Sequence, residues 1–349
     1  MANPDSSRVI GLRVAIIGLG RMGLRHLQAT QNLGMSVCAL ADISQQALDS
    51  VRMNHGCEAV SCFTDAHAML DTTRPDALVV ATTAPTHAEF VLSAAEKGVR
   101  YILCEKPMAS SLAETDEMTK ACRRAGATLA VNHQMMFMPQ YTEIKSLIGS
   151  DELGPLTSIL VAGSNFGLAM NASHYFEMYR YVSGESVTEI QAWLEEGLLP
   201  NPRGVAFEDR SGRLLARSAA GPTMFIDFSV AAGYGLQVVY ICRHGQIVVD
   251  ELCGSVRVAA RKPEFRDLPT SRYGMPADVR NSAITPADTI VPTMAVWSAM
   301  LDGAQFPDAD AGAHAVSCLV AAHTSHDAGG LVVRLDDPAL PRERVFKWA

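Results

Sequence analysis

The stretch Leu12–Gly23, LRVAIIGLGRMG, decides how the N-terminal part of the chain folds. Its apolar part, Arg13–Ile17, is typical of a buried strand, and the amphipathic segment Met22–Leu33 is typical of a helix. Between them lies a turn with the spacing G-x-G-x-x-G, formed by Gly18, Gly20 and Gly23. Strand, glycine turn and helix in this order predict a dinucleotide-binding site.

Each glycine has its own task in this prediction. Gly18 permits the tight turn, Gly20 lets a pyrophosphate approach the backbone, and Gly23 lets helix and strand pack closely. The free N–H groups and the dipole of the helix, which begins around Arg21 and Met22, then hold the phosphate charge. The same spacing is also compatible with an ordinary tight turn between a strand and a helix.

The composition indicates a globular protein of about two domains. The chain has 349 residues, of which 48% are hydrophobic and 19% charged. The net charge of −8 argues against a nucleic-acid partner and against an anionic membrane surface. No apolar run approaches the roughly 20 residues of a membrane span, and residues 1–10 lack the apolar core of a signal peptide. Together with eight dispersed cysteines and no C-x-x-C, this predicts a cytoplasmic protein with reduced thiols and no metal site.

Regular alternation of strands and helices predicts a doubly wound parallel sheet, a Rossmann domain, over residues 1–133. Its six predicted strands are Arg13–Ile17, Ser36–Ala41, Ala59–Phe63, Asp76–Ala81, Arg100–Cys104 and Ala127–Val131. Residues 134–349 contain a series of predicted strands with few helices, one of them Gly204–Glu208. This pattern predicts an α+β domain with a large, open, mainly antiparallel sheet.

Polar residues follow the predicted parallel strands, and the carboxyl ends of such strands form the ligand edge of the sheet. Asp42 ends the second strand nineteen positions after Gly23, where a carboxylate can accept hydrogen bonds from the adenosine ribose hydroxyls. A carboxylate there repels a 2′-phosphate, so NAD is favoured over NADP. Asp42 is also placed to cap the next helix, Ser44–Met53. Further candidates at this edge are Thr82, Thr83, His87, Glu105, Lys106, Asn132 and His133.

The motifs GLGRMG, Asp42, TTAPTH (82–87) and CEKP (104–107) together resemble the glucose–fructose oxidoreductase, inositol dehydrogenase and rhizopine-catabolism (Gfo/Idh/MocA) family of oxidoreductases. The resemblance continues through residues 131–148, 174–184 and 312–335 in the same order. It implies a Rossmann domain followed by an open-sheet domain. It also implies a homodimer or homotetramer formed through the sheet of the second domain.

The resemblance assigns the central chemistry to Lys106. An ammonium beside the nicotinamide stabilises partial negative charge on a substrate oxygen as hydride leaves or arrives. The family's matching lysine does this and is followed by a cis proline, here Pro107. The alternative is a surface lysine in a turn. His87 matches a cofactor contact of the family but also stands where a helix begins, and the sequence leaves these two interpretations level.

The second catalytic candidate is His174, which heads an amphipathic segment and matches the family's acid/base histidine. Imidazole exchanges protons near neutral pH. The alternative is a hydrogen-bonded histidine at a helix end. The family commonly has an aspartate four residues earlier, where this chain has Met170, so Asn171 becomes the candidate that orients the ring. An arginine that is frequent in the family is replaced by Met136. Asn132, His133 and Tyr175 are candidates for binding a polyol.

These observations predict an NAD(P)-dependent dehydrogenase or reductase acting on CH–OH groups, with NAD favoured as the cofactor. Its substrate is expected to be a sugar, cyclitol or nucleotide-sugar. One alternative is a redox-assisted hydrolase or dismutase with tightly held NAD, as some relatives are. Another is an NAD-binding regulatory protein without catalysis, suggested by the replaced aspartate and arginine.

Overall fold

The computed structural model describes residues 11–164, 166–198, 201–233, 235–268, 276–285 and 288–348. The chain forms two compact units. The first comprises Met1–Gln134, Asp288–Val316 and Arg342–Ala349, and the second comprises Met135–Ala287 and Ser317–Pro341. The predicted boundary at residue 133 places all of 134–349 in one domain, whereas here two later segments group with the N-terminal part.

The first unit contains a six-stranded sheet in the order β3-β2-β1-β4-β5-β6, with every pair parallel. Its strands are β1 Arg13–Ile17, β2 Ser36–Ala41, β3 Ser61–Phe63, β4 Ala77–Val80, β5 Tyr101–Cys104 and β6 Thr128–Val131. The helices between them are α1 Arg21–Asn32, α2 Gln45–Asn54, α3 Ala66–Thr73, α4 His87–Glu96 and α5 Leu112–Ala125.

Burial explains why these strands are continuously apolar. All four residues of β4 and the last four of β1 are buried, because helices cover both faces of a doubly wound sheet. The strand order reverses between β1 and β4, which is where such sheets bind ligands at their carboxyl edge.

The later segments of the first unit are held to it by backbone hydrogen bonds. The N–H of Val131 donates to the carbonyl of Pro307 at 2.8 Å, and the N–H of Phe346 donates to that of Ser110 at 2.9 Å. Helix α8, Ile290–Asp302, lies in this unit, and α9, Ala309–Asp327, begins in it. Main-chain hydrogen bonds of this kind leave no pattern in the sequence. The sequence therefore did not predict that these later segments belong to the first unit.

The second unit is built on a nine-stranded sheet in the order β14-β13-β12-β11-β7-β10-β9-β8-β15. Only β7 and β10 pair in parallel among the described strands, and every other pair is antiparallel. The strands are β7 Leu156–Ala162, β8 Glu189–Leu198, β9 Arg210–Arg217, β10 Thr223–Asp227, β11 Gln237–Cys242, β12 Gly245–Asp250, β13 Ser255–Arg261, β14 Ala277–Ala283 and β15 Val333–Arg334. Its helices include α6 Pro139–Leu147 and α7 Ser173–Ser183.

The predicted fold class is confirmed in both parts, with one strand wrong. Gly204–Glu208 forms turns, because Gly204 has a φ of +116° and accepts the N–H of Phe207 at 3.2 Å. The next strand begins only at Arg210. β14 and β15 were not predicted, and the start of the predicted helix Pro286–Leu301 lies outside the described residues. Within the described part of the chain, no helix has the length and apolar character needed to cross a membrane.

The glycine turn yields a test of the fold. A Cβ at Gly23 would overlap the carbonyl oxygen of Gly18, whereas a Cβ at Gly20 meets no atom within 4 Å. Gly23→Ala should therefore lower the free energy of unfolding by about 3 kcal/mol or more, and Gly20→Ala should leave it nearly unchanged. Thermal and urea unfolding of the two variants check this, and equal stability of both would contradict the packing described.

Candidate active site

The carboxyl ends of five neighbouring strands bring most of the predicted residues of the first unit to one edge. In spatial order the edge carries Asp42 after β2, the glycine turn after β1, Thr82 and Thr83 after β4, Glu105 and Lys106 after β5, and Asn132 and His133 after β6. This is the edge at which an open parallel sheet binds its ligand.

The glycine turn has the constraints expected of it. Gly18 has a φ of +89°, and a Cβ there would lie 2.6 Å from the carbonyl oxygen of Ala81. Gly20 and Arg21 are exposed, and Met22 is half-buried. Gly20 precedes α1 as its N-cap residue and supplies no side-chain cap, so the first N–H groups of the helix are available to an acceptor on a ligand.

Asp42 connects the end of β2 to the glycine turn. Its Oδ2 accepts the N–H of Leu19 at 2.7 Å, and its Oδ1 accepts the N–H of Ser44 at 2.8 Å. Ser44, not Asp42, caps α2 by accepting the N–H of Ala47 at 3.3 Å. Asp42 is half-buried, and its hydrogen bond with Leu19 places the carboxylate beside the backbone on which a dinucleotide would be bound.

The segment after β4 contains the two threonines and His87. The hydroxyl of Thr86 donates to Oγ1 of Thr82 at 2.8 Å, and Thr83 begins the 3-10 turn Ala84–Thr86. His87 begins α4, as one interpretation predicted, and is fully buried with Nδ1 2.9 Å from the carbonyl oxygen of Pro107.

The environment of His87 fixes its protonation. Burial lowers the pKa of its imidazole, although hydrogen bonding to Pro107 opposes this. The neutral ring donates from Nδ1, because a carbonyl oxygen only accepts. His87 therefore holds the turn that follows Lys106.

The carboxylate of Glu105 accepts three hydrogen bonds at this edge. It is only 5% exposed, and its Oε1 accepts from Nε2 of His26 at 2.8 Å and from Nδ2 of Asn132 at 2.8 Å. Its Oε2 accepts the backbone N–H of Lys106 at 3.2 Å. The three donors come from α1, from the end of β6 and from the catalytic candidate itself.

These contacts keep Glu105 ionised. Burial by itself raises the pKa of a carboxyl group, but the hydrogen bond and charge of His26, the amide of Asn132 and the ammonium of Lys106 together lower that of Glu105 to about 2. A buried negative charge is therefore fixed directly before Lys106. The Lys106–Pro107 peptide bond is cis, as the family resemblance implied.

Asn132 and His133 are buried at the end of β6. The backbone N–H of Asn132 donates to the carbonyl of Cys104 at 2.8 Å, which continues the pairing of β6 with β5. The amide of Asn132 is engaged with Glu105, so it supports that carboxylate as well as being a candidate for substrate binding.

In the second unit, His174 is half-buried on the first turn of α7. The π-helical turn Leu168–Ala172 leads directly into α7 and contains Met170 and Asn171, both half-buried. The N–H of Asn171 donates to the carbonyl of Gly167 at 3.0 Å. Met170, Asn171 and His174 therefore lie within two consecutive helical turns.

A carboxylate not predicted from the sequence binds the start of this segment. Asp209, 4% exposed, accepts the N–H of Ala169 at 3.0 Å and that of Met170 at 2.9 Å. A Cβ at Gly167 would overlap the Asp209 carboxylate, which explains the glycine. The chain thus has an acidic side chain at the turn where the family resemblance predicted an aspartate in place of Met170, although it comes from the residue before β9.

Tyr175 points into the interior of the second unit. Its hydroxyl donates to Oε2 of Glu251 at 2.8 Å, and its ring stacks on Phe166 with centroids 6.0 Å apart. Burial raises the pKa of Glu251, while hydrogen bonds from Tyr141 and Tyr175 oppose this rise. The hydroxyl of Tyr175 is thus committed to a buried carboxylate.

No metal site is evident in the described ranges, since no three His, Cys, Asp or Glu side chains group together there. The fit to a dinucleotide is better supported. Gly20 is open where a side chain would stand, the N-terminus of α1 has no side-chain cap, and Asp42 lies beside the turn. These residues fit a dinucleotide.

Comparison with known proteins agrees with this geometry. Residues 12–133 match the family model described as "Oxidoreductase family, NAD-binding Rossmann fold". The chain is 32% identical over 235 residues, 63% of its length and 67% of the relative's, to the uncharacterized oxidoreductase YrbE of Bacillus subtilis. It is 28% identical over 242 residues to the myo-inositol 2-dehydrogenase of Thermotoga maritima, covering 64% of this chain and 70% of that one.

The fold is also that of solved oxidoreductases. A crystal structure of an oxidoreductase from Agrobacterium radiobacter, in complex with NAD+, L-tartaric acid and magnesium, superposes with a TM-score of 0.76 at 19% identity. It covers 93% of this chain and 98% of that one. Fold, edge and relatives together define an NAD-binding oxidoreductase. The chain belongs to the Gfo/Idh/MocA family, as the sequence motifs indicated.

Three residues of the site region were missed from the sequence. His26 lies on the buried face of α1, three positions after Gly23, and this spacing was the available signal. Asp209 and Glu251 had no signal, since each is brought to its partners by the pairing of strands distant in the chain.

Glu105→Gln should change the pH dependence of stability. The pKa of Glu105 is about 2 in the folded chain and 4.5 ordinarily, so its ionised form stabilises the fold above pH 4.5 and this is lost as pH falls toward 2. At about 1.4 kcal/mol for each pKa unit, the difference is about 3 kcal/mol. Urea unfolding from pH 7 to pH 2.5 should show a variant that is less stable at pH 7, with a gap that narrows below pH 4.5.

The matched control is Glu117→Gln on the exposed side of α5, which should track the unmodified protein at every pH. A gap between Glu105→Gln and the unmodified protein that stays constant down to pH 2.5 would be incompatible with a native carboxylate of such low pKa.

Proposed function

We propose that this NAD-dependent dehydrogenase transfers hydride between the nicotinamide and a carbon that bears a secondary alcohol or ketone. The substrate would be a sugar, a cyclitol or a nucleotide-sugar. The observation that carries the proposal is the hydrogen bond from the backbone N–H of Lys106 to the buried anion Glu105, at the same sheet edge as the open glycine turn.

The first unit supplies the residues that would hold the cofactor. The pyrophosphate would meet Gly18, Gly20 and the N-terminus of α1 at Arg21 and Met22. Asp42 would accept from the ribose hydroxyls of the adenosine, and Thr82, Thr83, His87 and Glu105 would shape the edge on the nicotinamide side. Bound NAD supplies the acceptor or donor of hydride.

Lys106 would act on the substrate oxygen. Its ammonium would donate a hydrogen bond to the hydroxyl or carbonyl and would stabilise the negative charge that develops there. Lys106 is half-buried, and the carboxylate before it is fixed. Both features favour a defined position of its amine and argue against a solvated surface lysine.

His174 would exchange the proton of the substrate hydroxyl, since imidazole titrates near neutral pH. Asn171 would orient the ring as the neighbouring amide on the preceding turn. Asn132, His133 and Tyr175 would contribute to polyol binding. For Tyr175 this role would run through its ring or through Glu251, because its hydroxyl is already bonded to that carboxylate.

The relatives support the substrate class and the second unit supports an oligomer. Proteins similar to this chain include inositol 2-dehydrogenases, whose substrate is a cyclitol. Apolar side chains of the nine-stranded sheet are exposed, among them Leu160 at 40% and Trp193 at 47%. A homodimer or homotetramer would cover this sheet.

Spectrophotometric screening tests the activity. Purified protein mixed with NAD and a set of cyclitols, aldoses and nucleotide-sugars should form NADH with at least one of them. NAD that co-purifies and cycles without net NADH would instead favour the redox-assisted hydrolase. NAD binding measured by calorimetry without any turnover would favour a regulatory protein.

Lys106→Ala tests the role of the lysine. Removing the ammonium should lower kcat by about 100-fold or more, because the developing charge on oxygen loses its donor. The dissociation constant of NAD should change little. Lys120→Ala, which removes an exposed ammonium from α5, is the control and should keep full turnover. A fully active Lys106→Ala protein would refute the assigned role.

Asp42→Asn tests cofactor choice. The amide keeps an acceptor for the N–H of Leu19 but loses the negative charge that repels a 2′-phosphate. The ratio of kcat/KM for NAD to that for NADP should fall at least about 10-fold. Asp49→Asn, an exposed position on α2, should leave the ratio unchanged. A ratio that is equally high in both variants would argue against repulsion by Asp42.

A further inference from the structure

His26 is a fully buried histidine on the helix that begins at the glycine turn. Its ring faces the sheet edge, and Nε2 lies 2.8 Å from Oε1 of Glu105, a residue 79 positions later in the chain. Buried polar groups of this kind need a partner, because an unpaired one loses its bonds to water without replacement. The contact therefore joins α1 to the turn that carries Lys106.

The direction of this hydrogen bond follows from the charge of Glu105. Glu105 is ionised and can only accept, so Nε2 of His26 carries the hydrogen. Nδ1 of His26 is buried and has no hydrogen-bond partner among the described residues. The hydrogen bond from His26 is thus one of the contacts that keep Glu105 ionised.

The geometry of the carboxylate explains why this matters for Lys106. Oε1 is occupied by His26 and by Asn132, and Oε2 accepts the backbone N–H of Lys106. The lysine side chain starts from that same backbone and ends in an ammonium, which a buried anion attracts strongly. The charge of this ammonium already acts on Glu105, so the loss of a donor at Oε1 would draw the ammonium toward that oxygen.

We propose that His26 is a positioning residue for Lys106. By donating to Oε1 it holds the carboxylate of Glu105 in place, and that carboxylate in turn holds the backbone of Lys106, from which the ammonium would reach the substrate oxygen. The inference rests on the proposed function, in which that ammonium polarises the oxygen. It adds that the helix beginning at the cofactor turn sets the position of the catalytic amine through one buried hydrogen bond.

Two substitutions at residue 26 distinguish the effect of losing the hydrogen-bond donor from the effect of changing the side-chain volume. His26→Leu fills the space without a donor, whereas His26→Gln retains an amide N–H. The first should lower kcat roughly 10- to 100-fold, the size of effect expected from a misplaced catalytic group. The second should recover most of the loss. The dissociation constant of NAD should stay within about threefold in both.

Thr30→Val is the matched control on the same buried face of α1. Its hydroxyl donates to the carbonyl of Leu27 at 2.8 Å and does not contact Glu105. This variant should lose some thermal stability and keep its kcat. If Thr30→Val lowers kcat as much as His26→Leu does, the effect belongs to the general packing of α1 and the proposal is overturned.

A double-mutant cycle shows whether His26 acts through Lys106. In a Lys106→Ala background, His26→Leu should cause no further loss of kcat, because the group that it positions is already gone. An equal fractional loss in both backgrounds would overturn the proposal. Full turnover of Lys106→Ala alone would instead refute the proposed role of the lysine, and the two failures are distinguishable.

A crystal structure of His26→Leu gives a readout that does not depend on activity. We expect Nζ of Lys106 within hydrogen-bond distance of Oε1 of Glu105, at the place that Nε2 of His26 occupied. The His26→Gln structure should keep the lysine side chain in its original direction. A lysine side chain unchanged in His26→Leu would rule out the positioning role, whether or not a substrate has been found.

Discussion

The buried carboxylate of Glu105 is the constraint on which the candidate site depends. An ionised group that is 5% exposed is stable only when its oxygens are hydrogen-bonded, and here the donors come from α1, from β6 and from the next residue. Three segments that are far apart in the chain are therefore held in one place by one charge. The same charge lies beside the ammonium on which the proposed chemistry relies.

The glycine turn imposes the other constraint on this edge. Gly18 and Gly23 leave no room for a side chain, so the start of α1 is held against β1 and β4. His26 follows on the same helix, one turn after Gly23, and its distance from Glu105 is set by that close packing. The backbone contact at the glycine turn and the side-chain contact with Glu105 are thus made by neighbouring residues of α1.

The sequence predicted the parts of the molecule that local patterns control. β1, the glycine turn and α1 follow from apolar runs and glycine spacing, and the alternation of strands and helices was sufficient for the parallel sheet. The partners of Glu105 were not predictable, because His26 precedes it by 79 positions and no pattern states which buried face meets which strand end. The predicted strand Gly204–Glu208 is wrong because the prediction rested on composition, which does not show the positive φ of Gly204. The assignment of Asp288–Val316 to the first unit depends on main-chain hydrogen bonds, which carry no side-chain signature.

Comparison of a chain with its family at single positions is limited in the same way. The family resemblance predicts an aspartate where this chain has Met170, and from the sequence this difference removes a charge from the segment before His174. In the structure the N–H of Met170 is bonded to the buried carboxylate of Asp209, which reaches that turn from the residue before β9. A carboxylate is therefore present at the turn although the aligned position has none. The backbone N–H groups of such a turn need an acceptor. A residue beside a strand that is distant in sequence can supply that acceptor together with a negative charge. The loss of the aspartate is for this reason not by itself evidence for a chain that has lost its catalysis.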